Sequence, residues 1–456
     1  MSKTDVVILG GGISGLSTLH FLHRLKPHLT IKLFEAKAQL GGIIGTEFSG
    51  GYRFERGPNG FLDKEPLTIQ LCEELGLNDK LRRVNENAGN RYILRKGRLR
   101  KVPMSPLKFL TSDVLSIKGR MRVLFEPFVS CPKNSVDESV HCFAMRRIGQ
   151  EAADYLVQPI VSGIYGSSAD CLSMQSSFPA MKQMESEYGS LIKAAIAKLR
   201  KARAKGKNKQ SSDRPGGKLT SFEGGLSTLI SKFNDIYGQQ IETGMAARSI
   251  TKIDQDFQIA FNNGHTERAH SVVLAMPAYE AAKIVSGLSC SLSTALSSIS
   301  YVPLAVVCFG YPAQAVERRL DGFGFLVPLK ENRQILGSIW TSSIFSGTAP
   351  KGRVLFRTMV GDDGNSPLIN LTDAELIDLV KIDLGEILGI TGNPEMERVF
   401  RWVHGIPLYR TGHDAILTSI EGELESLGNI YITGNAYRGV GINDCVKMSH
   451  RVACSV

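Results

Sequence analysis

The stretch TDVVILGGGISGL, close to the start of the chain, constrains the fold more than any other. DVVIL is a β-branched apolar strand, and ISGLSTLHFLHRL after it carries helical periodicity. Between them Gly10, Gly12 and Gly15 stand at GxGxxG spacing. A second strand, TIKLFE, ends in Glu35, an acid about 20 residues beyond the glycines. This is the βαβ unit of a dinucleotide-binding fold. Gly10 permits the tight turn, Gly12 lets backbone reach a pyrophosphate, and Gly15 lets the helix pack on the strand. Ile13 and Ser14 open that helix, whose N-terminus faces the phosphates. Glu35, with Ala36 beside it, accepts hydrogen bonds from a ribose. Its charge disfavours a 2′-phosphate, so NADP is a poor fit and NAD or FAD remain.

Bulk properties narrow the remaining classes. At 456 residues the chain is long enough for two or three domains. With 43% hydrophobic and 21% charged residues it is no disordered chain. The eight cysteines include no CxxC pair and read as reduced, buried thiols. Nine histidines show no HExxH spacing, so no metal site is expected. No secretory signal is visible at the N-terminus, and no apolar run is long enough to span a bilayer. A net charge of +10 suits an anionic partner: nucleic acid, an acidic membrane surface or an acidic substrate. The run KLRKARAKGKNKQ at 198–210 carries much of that charge and reads as a solvated loop. It lacks aromatics, so nucleic acid is not the expected partner.

Further glycine-marked turns are scattered along the chain. AQLGGIIGT has the doublet Gly41-Gly42, and FERGPNGF has the turn Gly57-Pro58-Asn59. A strand-rich block opens near Ala247, and its last strand, SVVLAMPA, passes Ala275 and is halted by Pro277. Near the C-terminus, IYITGNAYRGVGINDC reads as a strand, a turn through Gly434, Gly439 and Gly441, and a helix start. Strand ends at residues 10, 275 and 434 predict one nucleotide-binding domain assembled from three parts.

Taken together, LGGGISGL, the LGG doublet, ERGPN, VLAMPA and TGNAYRGVGINDC resemble the FAD-dependent protoporphyrinogen oxidases of the amine oxidase and phytoene desaturase superfamily. The likeness runs nearly end to end and includes VSGIYGSSADCLSM at 161–174 and IPLYRTGH at 406–413. Two positions depart from the family pattern: Asn443 replaces a common Pro after GVGI, and Leu408 replaces the Gln of IPQY. The resemblance implies an α/β fold with a discontinuous Rossmann-like FAD-binding domain at 1–90, 221–285 and 405–456. A mixed-sheet substrate domain would comprise 91–105, 180–220 and 286–404, and a helical membrane-associating domain 106–179. It implies one non-covalent FAD per chain. The contacts would come from Gly10, Gly12, Ile13, Ser14, Gly15, Glu35, Ala36, Gly41, Gly42, Gly57, Pro58, Asn59, Ala247, Ala275, Gly434, Asn435, Val440, Gly441 and Ile442. The isoalloxazine would lie against the last turn, with the helix beginning near Gly441 aimed at it.

The implied reaction is oxidation of protoporphyrinogen IX to protoporphyrin IX in haem biosynthesis, by successive hydride transfers to FAD and reoxidation by molecular oxygen. Coproporphyrinogen III, with more propionates, stays open as substrate. So do a carotenoid desaturase or amine oxidase, and a non-enzymatic prenyl-protein carrier of the GDP-dissociation-inhibitor type. The resemblance places Arg91 on a substrate propionate, Leu326 and Phe345 as apolar clamps, and Gly163 where backbone lines the cavity. It assigns no catalytic base. It also implies a peripheral position on the cytoplasmic side of the cell membrane, with the mitochondrial inner membrane as the other possibility, and is compatible with a homodimer.

Overall fold

The computed structural model of the chain describes residues 4–103, 105–131, 137–204, 217–361 and 367–456. Two seven-stranded sheets carry the described residues. In the first, β1 (Thr4–Leu9) lies between β2 (Ile31–Glu35) and β3 (Thr266–Leu274), parallel to both. Ile241–Thr243 extends it in parallel beyond β2, and β4 (Ile430–Ile432) pairs in parallel with the end of β3. Two antiparallel strands, Ala247–Ile253 and Asp256–Phe261, complete it.

Val6, Val7, Ile8 and Leu9 are all buried, so β1 shows no polar alternation. That is the mark of a parallel strand covered on both faces. Val6 and Ile8 face α1 (Ile13–Leu25) and α2 (Ile442–Ser455). Val7 and Leu9 face the helices Ala278–Val285, Cys290–Ser297 and His413–Leu427. The two N-terminal and C-terminal helices are also tied by a hydrogen bond, Ser449 Oγ to the Ser14 carbonyl at 2.8 Å.

The second sheet is mixed. Its order is Met396–Pro407, Tyr301–Pro312, Arg353–Gly361, Gly337–Trp340, Gly322–Leu326, Asn90–Arg95 and Arg98–Lys101. Only Gly322–Leu326 and Asn90–Arg95 pair in parallel. One face buries Trp340 and Phe356 beneath the helix Asp373–Leu388. A reciprocal Thr372–Glu375 capping box starts that helix. The other face meets Tyr52 and Phe54 from the hairpin Thr46–Ser49 and Tyr52–Glu55, and so joins the two sheets.

Short helices make up most of the described residues between 106 and 204, and an ion pair sits at their centre. Arg147 and Glu126 are both 0% exposed, with Nη2 and Oε1 2.5 Å apart. Glu126 also accepts from Ser190 Oγ and the Leu191 and Ile192 amides, while Arg147 donates to the Val129 and Gly189 carbonyls. Glu185 binds Arg146 and Lys182, so Pro179–Tyr188 and Leu191–Ala204 belong to this helical layer, which runs on past residue 179. The basic run from 198 is therefore helical up to Ala204, and its remainder lies outside the described residues. No helix among the described residues is long and apolar enough to cross a membrane.

The cysteines correct one expectation. All eight are free thiols, but Cys131, Cys142, Cys290 and Cys454 are exposed, and only Cys72, Cys308 and Cys445 are buried. The exposed ones sit on loops and the outward sides of helices, where apolar neighbours in sequence do not translate into burial.

Removing one member of a buried ion pair strands its partner's charge. Arg147→Ala is expected to destabilise the protein by about 3–5 kcal/mol. Denaturant unfolding followed by circular dichroism measures this.

Candidate functional site

The parallel strands end together. Gly10 N–H donates to the Phe34 carbonyl at 2.8 Å, Ala275 N–H to Leu9 at 2.8 Å, and Thr433 N–H to Leu274 at 3.0 Å. The chain segments at 10, 275 and 434 thus share one edge of the sheet. Close packing dictates two glycines here. A Cβ on Gly15 would lie 1.9 Å from the Gly10 carbonyl oxygen, and one on Gly10, at φ +115°, 2.7 Å from that of Ala275. Gly12 differs, because its Cβ would meet nothing within 4 Å. It is the N-cap of α1, no side chain caps the helix, and no acid stands in its first turn. The first amides of α1 therefore open onto free space, which suits an anion.

Glu35 closes this loop from the side. Its Oε2 accepts from Gly11 N–H at 2.6 Å and its Oε1 from Lys37 N–H at 2.8 Å. Both oxygens keep lone pairs free to accept more. The Gly41-Gly42 doublet lies on top: Gly41 N–H donates to the Gly11 carbonyl at 2.8 Å. Met245 N–H bonds the Glu35 carbonyl at 2.8 Å, which brings Ala247 to the end of β2. Ala36 is exposed there, whereas Ile13 and Ser14 are buried in the root of α1.

At the other end of the edge, the chain leaves β4 through Gly434 (φ +146°), Asn435 and Gly439 (φ +122°) and enters α2 with Gly441 as N-cap. Gly441 is exposed, Val440 half-buried and Ile442 buried. Asn443 donates from Nδ2 to the Leu62 carbonyl at 2.8 Å, a link that the family's proline has no donor to make. Behind the turn stands Tyr409. Its Oη donates to the Asn435 carbonyl at 2.5 Å and accepts from Gly439 N–H at 2.8 Å. The His413 ring stacks on Tyr409, with centroids 4.3 Å apart. Both residues belong to the IPLYRTGH block, whose family likeness by itself assigns them no task.

The 57–59 turn borders the same space and is held from the second sheet. Arg357 Nη2 donates to the Gly57 carbonyl at 2.5 Å, and Trp402 Nε1 to that of Arg56 at 3.0 Å. Pro58 and Asn59 are half-buried. Asn59 Oδ1 and Asn443 Oδ1 are buried without a hydrogen-bond partner among the described residues, one in this turn and the other at the start of α2. Beneath the turn lies Glu55, which accepts from Thr46 Oγ1 at 2.9 Å and Leu226 N–H at 3.2 Å. Burial pushes its carboxyl up to about 7, against the opposing pull of those hydrogen bonds and of Arg53 and Arg357. Burial likewise lowers both guanidiniums.

The residues expected on the substrate side fall into two groups. A Cβ on Gly163 would lie 2.8 Å from Leu326 Cδ2, so the helix Gln158–Tyr165 and the strand Gly322–Leu326 touch at this point. Phe345 is not part of that contact. It is buried in a small core with Ala88 and Ile344, bordered by Phe323. Arg91 is exposed and stacks its guanidinium 4.9 Å from the centroid of the Phe323 ring.

Residues 13–456 match the family described as flavin containing amine oxidoreductase. The chain belongs to this family. Coproporphyrinogen III oxidase of Bacillus subtilis (strain 168) is 31% identical to it, over 97% of this chain and 96% of that protein. The chloroplastic protoporphyrinogen oxidase of Oryza sativa subsp. japonica is 32% identical, over 100% of this chain and 88% of that one. A crystal structure from Exiguobacterium sp. 255-15 superposes with a TM-score of 0.84 at 25% identity, covering 100% of this chain and 99% of the other. A flavin is the cofactor the family implies, and the site fits one. Its uncapped helix start and the open space at Gly12 suit an anionic group, and the two orphaned asparagine oxygens, both acceptors, suit a hydrogen-bond donor.

Two glycines three residues apart separate folding from binding. Gly12→Ala is expected to change apoprotein stability by less than about 1 kcal/mol, yet to weaken flavin uptake at least about tenfold. Gly15→Ala is expected to destabilise the apoprotein by about 1–3 kcal/mol through overpacking. Melting curves and flavin titrations of the two variants test the contrast.

Glu55 sets a pH dependence. Its carboxyl titrates near 7 when folded against an ordinary 4.5, so between those values the folded state holds the extra proton. Stability from this group is then full below about 4.5 and is lost as pH rises to about 7. Between pH 5 and 8 the wild type is expected to lose about 2–3 kcal/mol more than Glu55→Gln. Urea unfolding of both proteins across that range measures the difference.

Proposed function

We propose that the chain binds one FAD non-covalently and oxidises a porphyrinogen to its porphyrin in haem biosynthesis, with protoporphyrinogen IX as substrate and molecular oxygen as final acceptor. The convergence of the 10, 275 and 434 strand ends on one cradle carries this reading, together with full-length relatives named for porphyrinogen oxidation. In this proposal the parts of the chain grouped around the first sheet hold the cofactor, and the mixed sheet and helical layer hold the substrate.

The amides at Gly12, Ile13 and Ser14 and the start of α1 hold the diphosphate, with Gly41 and Gly42 against it. Gly10, Gly15 and Ala275 keep that loop thin. Glu35 holds the ribose, and Ala36 and Ala247 leave room beside it. Gly57, Pro58 and Asn59 on one side, and Gly434, Asn435, Val440, Gly441 and Ile442 on the other, bound the ring. When bound, the flavin supplies the hydride acceptor. A bare helix start favours negative charge nearby by about 0.3–1 kcal/mol; at α2 part of this is offset by Asp444 in the first turn, whose Oδ2 accepts from Gly441 N–H at 3.3 Å. Arg91 orients a substrate carboxylate by a charge-assisted bond. Leu326 over Gly163 and the Phe345 cluster present apolar surface that excludes water from the macrocycle.

Coproporphyrinogen III is the second reading, on one observation. In the hairpin Asn90–Arg95 and Arg98–Lys101, Arg98 lies opposite Arg95, and Arg100 opposite Ile93. These residues and Arg91 share a face; Arg95 pairs with Glu151 and Arg100 with Asp113, so exposed Arg98, on the same face as Arg91, is the cation a further propionate would meet. A peripheral membrane position is supported by Ile117, Met121, Leu124, Phe125 and Phe128, exposed beside Lys118, Arg120 and Arg122.

Purified protein is expected to be yellow and to turn over porphyrinogen with oxygen-dependent fluorescence growth. Initial rates on the two porphyrinogens decide between them. Arg91→Ala is expected to raise KM about ten- to a hundredfold, the loss of about 1.5–3 kcal/mol, at unchanged flavin content. Colourless protein that takes up no FAD on reconstitution would refute the enzyme reading. Flotation with anionic liposomes tests the membrane position.

A further inference from the structure

The 435–439 turn has a dry back and an open front. Gly441, where it meets α2, is exposed, while Tyr409 behind it is 0% exposed and His413 1%. A turn with glycines at φ +146° and +122° has many conformations open to it if nothing fastens it. Here one hydroxyl fastens both ends, through the Asn435 carbonyl and the Gly439 amide. The phenol is itself seated. His413 stacks on it at an interplanar angle of 14°, and Tyr165 meets it edge-on with centroids 6.1 Å apart. His413 Nε2 lies 3.1 Å from the Tyr437 carbonyl, so the middle of the turn is held as well. Burial lowers the pKa of His413 and raises that of Tyr409 well above its ordinary value, which keeps the imidazole neutral and the phenol a donor.

We propose that Tyr409, seated by His413, is a positioning residue that fixes the 435–439 backbone in the one geometry the flavin ring meets. The inference rests on the cofactor reading above and extends it to residues that do not touch the ring. The tie acts on the electronics of the site because the same backbone delivers the start of α2. If the turn loosens, the helix terminus, already partly offset by Asp444 in its first turn, stabilises the reduced, anionic form less well still. A tie that served stability alone would leave the redox balance untouched.

The test uses holoprotein. Tyr409→Phe keeps the ring and its stacking and removes only the hydroxyl. It is expected to retain flavin, to shift the midpoint potential about 30 mV more negative, which is a tenfold loss of preference for the reduced form, and to lower kcat about tenfold with KM changed less than about twofold. His413→Gln, which keeps a donor for Tyr437 and loses the stacking, is expected to shift the potential in the same direction, and it carries the test if the first variant does not accumulate. A wild-type potential and visible spectrum in the variant, even with a lowered melting temperature, would reduce Tyr409 to a structural tie and overturn the inference alone. Wild-type protein that binds no flavin would overturn the inference together with the reading it rests on.

Discussion

α1 meets the end of β1 where Gly15 passes so near the Gly10 carbonyl that no side chain fits between them. Much else follows from this contact. It draws the first amides of α1 up to the sheet edge, where β3 and β4 also end. It leaves α1 with a bare face toward the C-terminal helix, and α2 fills that face with Ile442, Cys445 and Val446. The open cradle is thus a by-product of dense packing immediately behind it. Helix and strand come together without side chains, and the unpaired amides face the only direction left.

The second sheet also shapes loops of the first. Arg357 and Trp402 reach from it to hold the 56–57 carbonyls, and Tyr409 follows directly after its edge strand to hold the last turn. Two loops of the dinucleotide half are therefore shaped by residues of the other half. The buried charges around Glu55 lie at this junction. Removing charges from water is unfavourable, and Glu55 and its two arginines respond by moving toward their neutral forms. In the helical layer the solution is different: Arg147 and Glu126 pair with each other, and each makes further hydrogen bonds with its surroundings.

What could be read from sequence was what is local. The βαβ unit is legible because a strand, three glycines, a helix and an acid fall within a short span with their own periodicities. The final turn is legible because its glycines are bunched and family blocks agree. The links made by Arg357 and Trp402 are not, since 300 and 346 residues separate the partners and no pattern marks an arginine as someone else's clamp. Phe345 and Leu326 show the same limit in another way. Both are apolar residues near strand ends, and only the fold distinguishes one that meets a helix across a gap from one that closes a small core with Ala88 and Ile344. Pro179 stands at the first turn of the helix Pro179–Tyr188, where proline is favoured, so the short helices continue through it.

The way the first sheet is threaded has a consequence for biogenesis. β1 and α1 are made long before β4, which joins the same sheet, and α2, which packs against α1. Throughout elongation the apolar side of α1 has no cover, and the contacts that close it span nearly the whole chain. Such long-range closure is slow and leaves aggregation-prone surface waiting. Folding of this half is therefore completed only after α2 has been made.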